Sequence, residues 1–470
     1  MITVATHRKN HKNRFDAVAE PFLQNEGLPF SEVLNAEWIQ HVFREEDGLF
    51  AQEDIFSTEI VLWAFLAQTL RDGKGAACSA AVSEIATYML QTGRQPPVGD
   101  TGDYCRARAK LSLPALRGLA VESAGQLECK ADVCWLWNGL HAKLVDGFTV
   151  TMPDTLENQA EFPQLSTQRV GAGFPIARCG TVVSAATACV CDLAIGPYEG
   201  KETGESALLR ETLDAFDEGD IAVFDRYYCS FMMLAILWLR GVQACTRLHQ
   251  RRISDFRRGR RLGPDDHWIT WDRPKRPPWM SEELYGQIPE TLTLRELRFD
   301  LSDTKCRTSD ITVITTLTDP EMYPAKDIAA LYALRWNVEL DIRVIKQTLG
   351  LDHLRCKSPD MVRRELWVTL LAYNLIRKVI ATAAAVHGKQ PRRLSFTLTC
   401  QTVLASWMLL STGSAYNAHQ LWTAALASIA DQEVPLRPGR IEPRVLKRRR
   451  EHYPLMHEPR DMLRKAIGKT

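Results

Sequence analysis

The sequence predicts an α/β protein with a mixed sheet at its centre and helical regions at both ends. Three observations carry this. Between Ala142 and about residue 250, short apolar runs of strand length alternate with segments of helical spacing. The alternation breaks in an Arg-, Pro- and Trp-rich stretch and resumes at "DITVITTL". On either side of this span the apolar residues recur at i, i+3 and i+4.

In chain order, "EIVLWAFLAQTL" and "AAVSEIATYML" read as helices, and the break "GRQPPVGDTG" separates them from "DYCRARAKLSLPALRGLA". Short helices with a basic segment at Arg106, Arg108 and Lys110 suit a small DNA-binding unit, or equally a helical scaffold with a solvated basic face. "AKLVDGFTVTM" is strand-like, and "GTVVSAATACVCDLAIG" is a second β-branched and small-apolar region. "GESALLRETLDAF" has helical spacing and leads into "IAVFD", a short buried strand ending on an acid. "SFMMLAILWLRG" is a helix too apolar to lie on a surface, and "VQACTRL" is another strand. "RRISDFRRGRRLGPDDHWITWDRPKRPPWM" and the antiparallel-looking "TLTLRELRFDL" read as an insertion into the α/β unit. From "LYALRWNVELDIRVIKQTLG" to about Ala430 the pattern is helical, and from Arg437 onward 11 Lys/Arg face 4 Asp/Glu. No internal repeat is visible.

At 470 residues, two or three domains are expected, and 45% hydrophobic with 24% charged residues excludes a disordered chain. The net charge of +1 points to no partner by itself. Its clustering does, because basic segments are separated from acidic ones such as "FREEDGLFAQED". The 12 cysteines lack paired metal spacing, and Cys189 and Cys191 read as buried thiols on a strand. The N-terminus has no apolar segment of a secretory signal, and "FMMLAILWL" and "LWVTLLAYNLI" fall short of the roughly 20 residues that span a bilayer. A cytoplasmic protein without membrane contact is expected.

The helix from Leu331 to Gly350 carries Tyr332, Arg335, Glu339, Arg343 and Lys346 in one line. At about 100° per residue they occupy a sector of roughly 80°, immediately beside the apolar stripe of Leu331, Leu334, Val338, Ile342, Ile345 and Leu349. A merely solvated face would centre nearer Asn337 and Asp341. Residues beside a buried stripe line the rim of a cleft, where charges act strongly on a bound anion. Glu339 is therefore a candidate metal ligand, with Arg335 and Lys346 as phosphate contacts. Taken alone, the same residues also make an ordinary ladder of i, i+4 ion pairs.

Two strand acids shift that balance. Asp146 lies within the first strand and Asp225 ends "IAVFD", at the edge where open sheets place ligands. An ionised carboxylate at the end of an apolar strand is costly unless paired or metal-bound. Asp146, Asp225 and Glu339 together would form an all-oxygen site suited to Mg²⁺ or Mn²⁺, and two such ions support in-line phosphoryl transfer.

The spacing Tyr332, Arg335, Glu339, Lys346 resembles the Y-(2)-R-(3)-E-(6)-K signature of DDE transposases of the insertion-sequence-4 family. "VDGFTVTMPDT" and "IAVFDRYYCSF" resemble that family's first and second acidic blocks, 79 positions apart, with 114 more to Glu339. "YCRARAKL" and "EPRVLKRRR" extend the likeness over most of the chain. The resemblance implies a ribonuclease H-like core with a β-rich insertion and N- and C-terminal helical regions. It implies cleavage at transposon ends and joining of 3′ hydroxyls to target DNA, on paired terminal inverted repeats held by a homodimer. Asp146, Asp225 and Glu339 would be catalytic and bind two Mg²⁺ ions, replaceable by Mn²⁺, while Tyr332, Arg335 and Lys346 contact the DNA end. Some members flip a base onto an aromatic in the insertion, for which Trp268, Trp271 and Trp279 are candidates. Backbone contacts are assigned to Arg106, Arg108, Arg257, Arg258, Arg260, Arg261, Lys447, Arg448 and Arg449.

The expected organisation is a helical end-binding domain over 1–135 and a catalytic core over 136–250 and 312–380. The insertion occupies 251–311, and a helical region with the basic tail occupies 381–470. Two rival readings remain: a noncatalytic DNA-binding protein derived from a transposase, which would bind without cutting, and a structure-selective nuclease of the same core, which would cut without joining.

Overall fold

The structure, a computed structural model, describes residues 55–56, 58–91, 93–300, 310–412, 415–435, 456 and 458–467. Four helices precede the sheet: α1 (Thr58–Thr69), α2 (Cys78–Gln91), α3 (Gly102–Ala109) and α4 (Leu113–Cys129). Helix α4 begins where the Ser112 hydroxyl accepts the Ala115 N–H at 3.4 Å, and Pro114 in its first turn has no N–H to leave unpaired. Strand β1 (Ala142–Thr151) follows, then α5 (Leu156–Glu161), β2 (Ile176–Ser184) and β3 (Val190–Pro197), the three strands pairing antiparallel in turn. Next come α6 (Glu205–Glu211), β4 (Ile221–Phe224), α7 (Phe231–Leu239) and β5 (Gln243–Arg247), with β4 and β5 parallel to β1.

Strands β6 (Arg260–Gly263) and β7 (Asp266–Asp272), helix α8 (Glu282–Gln287), β8 (Thr291–Asp300) and β9 (Asp310–Thr315) complete one nine-stranded sheet of order β3-β2-β1-β4-β5-β9-β8-β7-β6. The expected insertion is β-rich, but its strands do not form a layer of their own. Strand β8 pairs with β9 from Arg295↔Thr315 to Asp300↔Asp310, and β9 pairs antiparallel with β5, so the insertion lengthens the core sheet sideways.

The remaining helices are α9 (Ala325–Ala333), α10 (Trp336–Gln347), α11 (Pro359–Val386), α12 (Phe396–Thr412), α13 (Ala415–Ala430) and α14 (Arg460–Ile467). Helix α11 is the spine of one face of the sheet. It packs along α4 and against α1, and Asn374 ties it to β3 by accepting the Val190 N–H at 2.8 Å and donating to Val190 and Ala120 carbonyls. The run "LWVTLLAYNLI" thus belongs to a 28-residue helix long and apolar enough to cross a membrane, but 89% of its apolar window is buried in the protein. The boundary expected at 380/381 falls inside this helix.

Apolar side chains of β1 divide between the two faces. Leu144, Phe148 and Val150 join Val338, Ile342, Ile345 and α11 in one core, while Val145, Val182 and Phe224 join Leu209, Phe216 and the buried side of α7 in the other. Two glycines let α6 approach the sheet closely. A Cβ on Gly180 would lie 2.9 Å from Leu208 Cβ, and one on Gly147 would lie 2.9 Å from Glu205 Cγ and Oε1.

The segment expected as one helix from Leu331 to Gly350 is two. Helix α9 ends at Ala333 and α10 starts at Trp336, with Leu334 and Arg335 in right-handed helical dihedrals between them. The backbone there bonds one residue shorter than an α-helix, Leu334 to Leu331, Arg335 to Tyr332, Asn337 to Leu334 and Val338 to Arg335, which tightens the turn. Asp341, expected on the solvated side, is 3% exposed. It pairs with Arg377 Nη2 at 3.2 Å and with Arg392 Nη1, which reaches Oδ1 at 3.2 Å and Oδ2 at 2.9 Å.

Candidate active site

Parallel pairing of β1 with β4 runs from Ala142↔Ile221 to Val145↔Phe224 and stops there. The next register position holds Asp146 on β1 and Asp225 just past β4, so the two acids emerge side by side where β4 ends. Asp225 opens a 3₁₀ turn (Arg226–Tyr228), and its carbonyl accepts the Thr246 hydroxyl at 3.2 Å. Beyond this point β1 continues against β2, leaving a notch on its β4 side until Thr151 bridges to His353.

Glu339 comes from across the notch. The chain after α10 returns to the end of β1, with the Thr151 N–H on the Asp352 carbonyl at 3.1 Å and the Leu354 N–H on the Thr151 carbonyl at 2.9 Å. These bonds fix α10 relative to β1. Arg335, in the tight turn, places Nη2 3.0 Å from Glu339 Oε1 and Nη1 3.9 Å from Asp146 Oδ2. Its side chain is 9% exposed, and its Nε has no partner. Arg335 and Glu339 thus form the i, i+4 pair of the ladder reading, and the pair lies against a strand acid.

Burial pushes the Asp146 carboxyl up to about 6. The Gly147 N–H and Arg335 oppose that shift, while Glu205 and Glu339 add to it. Burial and the nearby Asp225 also raise Glu205, against Arg178. The Tyr332 phenol is 6% exposed and is raised by burial, with Arg335 opposing and Asp225 adding. Two of these carboxylates, Asp146 and Glu339, pair with the Arg335 guanidinium.

Lys346 is turned to Asp352, 2.7 Å away, and Arg343 is exposed. Among the described residues no three Asp, Glu, His or Cys side chains stand close enough to hold an ion together. Unscreened carboxylates repel, and Arg335 supplies the positive charge between two of them. The donor set is nonetheless all oxygen and suits a hard divalent ion. Two buried polar atoms at its margin, Arg335 Nε and the Tyr228 hydroxyl, are unsatisfied, as fits a site with room for one.

The other expected contacts are scattered. Arg106 is exposed and pairs with Asp103. Arg108 turns inward instead, stacking 4.6 Å over Phe65 and bonding Gln68 at 3.1 Å, because the helix places it between α1 and the Cys356 segment. Arg257, Arg258, Arg260 and Arg261 are exposed in the insertion, the first two beside Asp255. Lys447, Arg448 and Arg449 lie outside the described residues. Each candidate tryptophan has a guanidinium on one face: Arg260 over Trp268 at 4.7 Å, Arg252 over Trp271 at 3.6 Å and Arg210 over Trp279 at 4.0 Å. Trp271, 8% exposed, packs and offers no free face. The exposed aromatics nearest the acids are Tyr227, 58% exposed, and Trp336, 56% exposed with Arg335 4.5 Å from its ring centre. Sequence reasoning passed over both, although each directly follows a motif residue or its neighbour. Glu205 was also missed, and its signal was the glycine after Asp146, which leaves space on β1.

A family pattern described as the transposase DDE domain matches residues 138–375, from just before β1 into α11. The chain is 26% identical over 448 residues to the transposase InsG for insertion sequence element IS4 of Escherichia coli (strain K12), covering 94% of this chain and 96% of that protein. It is 37% identical over 70 residues to the transposase for insertion sequence element IS421 of Escherichia coli, 15% of this chain and 19% of that one. A cryo-EM structure of the piggyBac transposase synaptic complex with hairpin DNA superposes with a TM-score of 0.43 at 10% identity, over 92% of this chain and 88% of that one. With half the chain inside the family pattern and a relative matched nearly end to end, the chain belongs to the DDE transposases of the insertion-sequence-4 family, enzymes of DNA cleavage and strand transfer.

Proposed function

We propose that the notch between β1 and α10 is the centre at which this transposase cuts DNA at the ends of an insertion sequence and joins the 3′ ends to target DNA. The observation that carries the reading is that Asp146 and Asp225 follow the last paired residues of two adjacent parallel strands while Arg335 links Asp146 to Glu339 on a distant helix. The strand order β3-β2-β1-β4-β5, with three antiparallel strands and two parallel ones, supports a ribonuclease H-like core. Two Mg²⁺ ions, replaceable by Mn²⁺, would activate the attacking oxygen and stabilise the leaving one.

The chain's own residues do the rest. Asp146, Asp225 and Glu339 supply the carboxylate oxygens, and Arg335 keeps Asp146 and Glu339 in place until a phosphate competes for its guanidinium. Tyr332 walls the site from the buried side, and Lys346 at the far end of α10 reaches the DNA end once released from Asp352. Arg106, Arg257, Arg258, Arg260 and Arg261 are exposed cations for backbone phosphates, whose contacts govern affinity without reading sequence. The domains 1–135 and 251–311 would grip the terminal inverted repeats, as a homodimer on paired ends. We read the protein as cytoplasmic.

The test uses a plasmid carrying the DNA that flanks the gene on both sides, with Mg²⁺. Asp146→Asn, Asp225→Asn and Glu339→Gln should each lower cleavage by at least about a thousandfold while DNA binding stays within about threefold. Substantial Mg²⁺-dependent cutting by all three variants would defeat the assignment. Labelled 3′-OH ends appearing in target DNA separate joining from simple cutting.

A further inference from the structure

Arg108, in the last turn of α3, is turned into the protein and held there by neutral groups. Its guanidinium lies 4.6 Å over the Phe65 ring and 5.6 Å over that of Tyr104. The Gln68 amide oxygen accepts both Arg108 Nη1 at 3.1 Å and the Tyr104 hydroxyl at 3.0 Å, and Gln68 Nε2 donates to the Ala76 carbonyl at 2.7 Å. Arg108 Nη2 reaches the Cys356 thiol at 3.9 Å, and the buried Nε has no partner. The side chain is therefore fixed in place while most of its N–H groups are unused.

No carboxylate among the described residues pairs with this charge. The groups that act on it are Cys356, Tyr104, Cys78 and Cys105. Burial pushes Tyr104, Cys105 and Cys356 up, so these three stand neutral beside it. A guanidinium withdrawn from water without a counter-ion is costly, and two ring faces with one amide do not replace one.

Arg108 also lines a cavity of about 490 Å³, of a size that takes a small ligand. Its walls are α1, the 349–356 segment that returns from α10 to β1, and the first half of α11. Arg355 lines it too, is exposed, and enters no ion pair among the described residues. Arg71 is a third cation of the lining, held by Glu84. The carboxylate in the lining belongs to Glu365, and it is engaged by the backbone N–H groups of Arg355, at 3.0 and 2.9 Å, and of Cys356, at 2.9 Å. Two guanidiniums without acids thus share one cavity, a charge that suits the roughly two negative charges of a phosphate monoester.

We propose that this cavity binds a phosphate monoester, with Arg108 as its buried fork and Arg355 as the cation at its mouth. The group belongs to a small phosphate compound or to the 5′ end of a DNA strand. Either would brace the N-terminal helices against the segment that fixes α10, in which Asp352 and Leu354 bond to Thr151 of β1. The cavity shares no residue with the notch, so the proposal stands apart from the three acids.

The experiment titrates the full chain calorimetrically without divalent ions. Inorganic phosphate is compared with acetate at equal ionic strength, and a 5′-phosphorylated single strand with its 5′-hydroxyl counterpart. Wild type should prefer the phosphate member of a pair by at least about tenfold, and Arg355→Gln and Arg108→Gln should each lose that preference, the former at an unchanged melting temperature. A preference within the strand pair assigns the site to a DNA terminus, and a preference for inorganic phosphate without one assigns it to a free phosphate compound. No preference in either pair, or one that either variant retains in full, overturns the proposal. Should Arg108→Gln fail to fold, Arg108→Lys, which keeps the charge and loses the fork, is read in its place.

Discussion

Buried charges in this chain follow two patterns, and the difference separates scaffold from site. Lys143, 4% exposed, is closed off by Asp220 at 2.5 Å and the Ala215 carbonyl at 2.6 Å. Glu128 likewise accepts the Thr187 hydroxyl at 2.9 Å and faces His141 at 3.3 Å. Burial would raise the Glu128 carboxyl, but the hydrogen bonds from His141, Ser184 and Thr187 overcome it and hold it below its ordinary 4.5. The hydrogen bond to Glu128 in turn lifts His141 above 6.5. The sign follows from linkage. The His141 contribution is full below pH 6.5 and disappears as pH rises through the raised value, while that of Glu128 is lost only as pH falls through the lowered one. His141→Gln should therefore lower the unfolding free energy at pH 6 by on the order of 1 kcal/mol, a small value because the ring is a third exposed, and have little effect at pH 9. An equal loss at both pH values would rule out the charged pair. At the site the pattern is the reverse: Asp146 and Glu205 are half-buried and incompletely paired, which a scaffold would not retain.

At the scale of elements, α10 is held by a lock that its helical pattern hides. The Asp341 carboxylate is clamped by Arg377 and Arg392, and Arg377 Nε donates to the Tyr373 hydroxyl at 2.9 Å, tying α10 to α11 and to the segment before α12. Asp341→Ala leaves two guanidiniums buried without their anion and should destabilise the protein by about 3–5 kcal/mol in denaturant unfolding. Arg343→Ala, exposed on the same helix, should change it by less than about 0.5 kcal/mol. Comparable losses for the two would refute the lock. The polar stripe beside the apolar one was legible in the sequence because both are written within a few turns of one segment. The lock was not, because its partners lie 36 and 51 positions downstream and nothing local distinguishes a buried Asp from a solvated one. For the same reason the tight turn at Leu334–Arg335 escaped a reading that assumed one uniform helical period.

At the scale of the molecule, strand identities were readable while strand neighbours were not. The pattern of "TLTLRELRFDL" announces a strand, but its pairing with β9 is a long-range choice that no local pattern encodes. One consequence is testable. Replacing residues 251–309 with a short linker removes β8 and uncovers the outer edge of β9, so the shortened chain should aggregate in size-exclusion chromatography. A monodisperse product with an unchanged melting temperature would show that the insertion is separable. The long separation of Glu339 from the two strand acids also gives the protein a timetable. During synthesis at ~5–20 residues per second, the ribosome needs roughly 6–23 s after Asp225 to reach Glu339, and longer to deliver the helix that covers α4. On the catalytic reading proposed above, a chain stopped before Glu339 displays the first two acids and an uncovered apolar surface but should not cut DNA. Copies of the gene truncated before Glu339 should therefore yield inert, short-lived polypeptides.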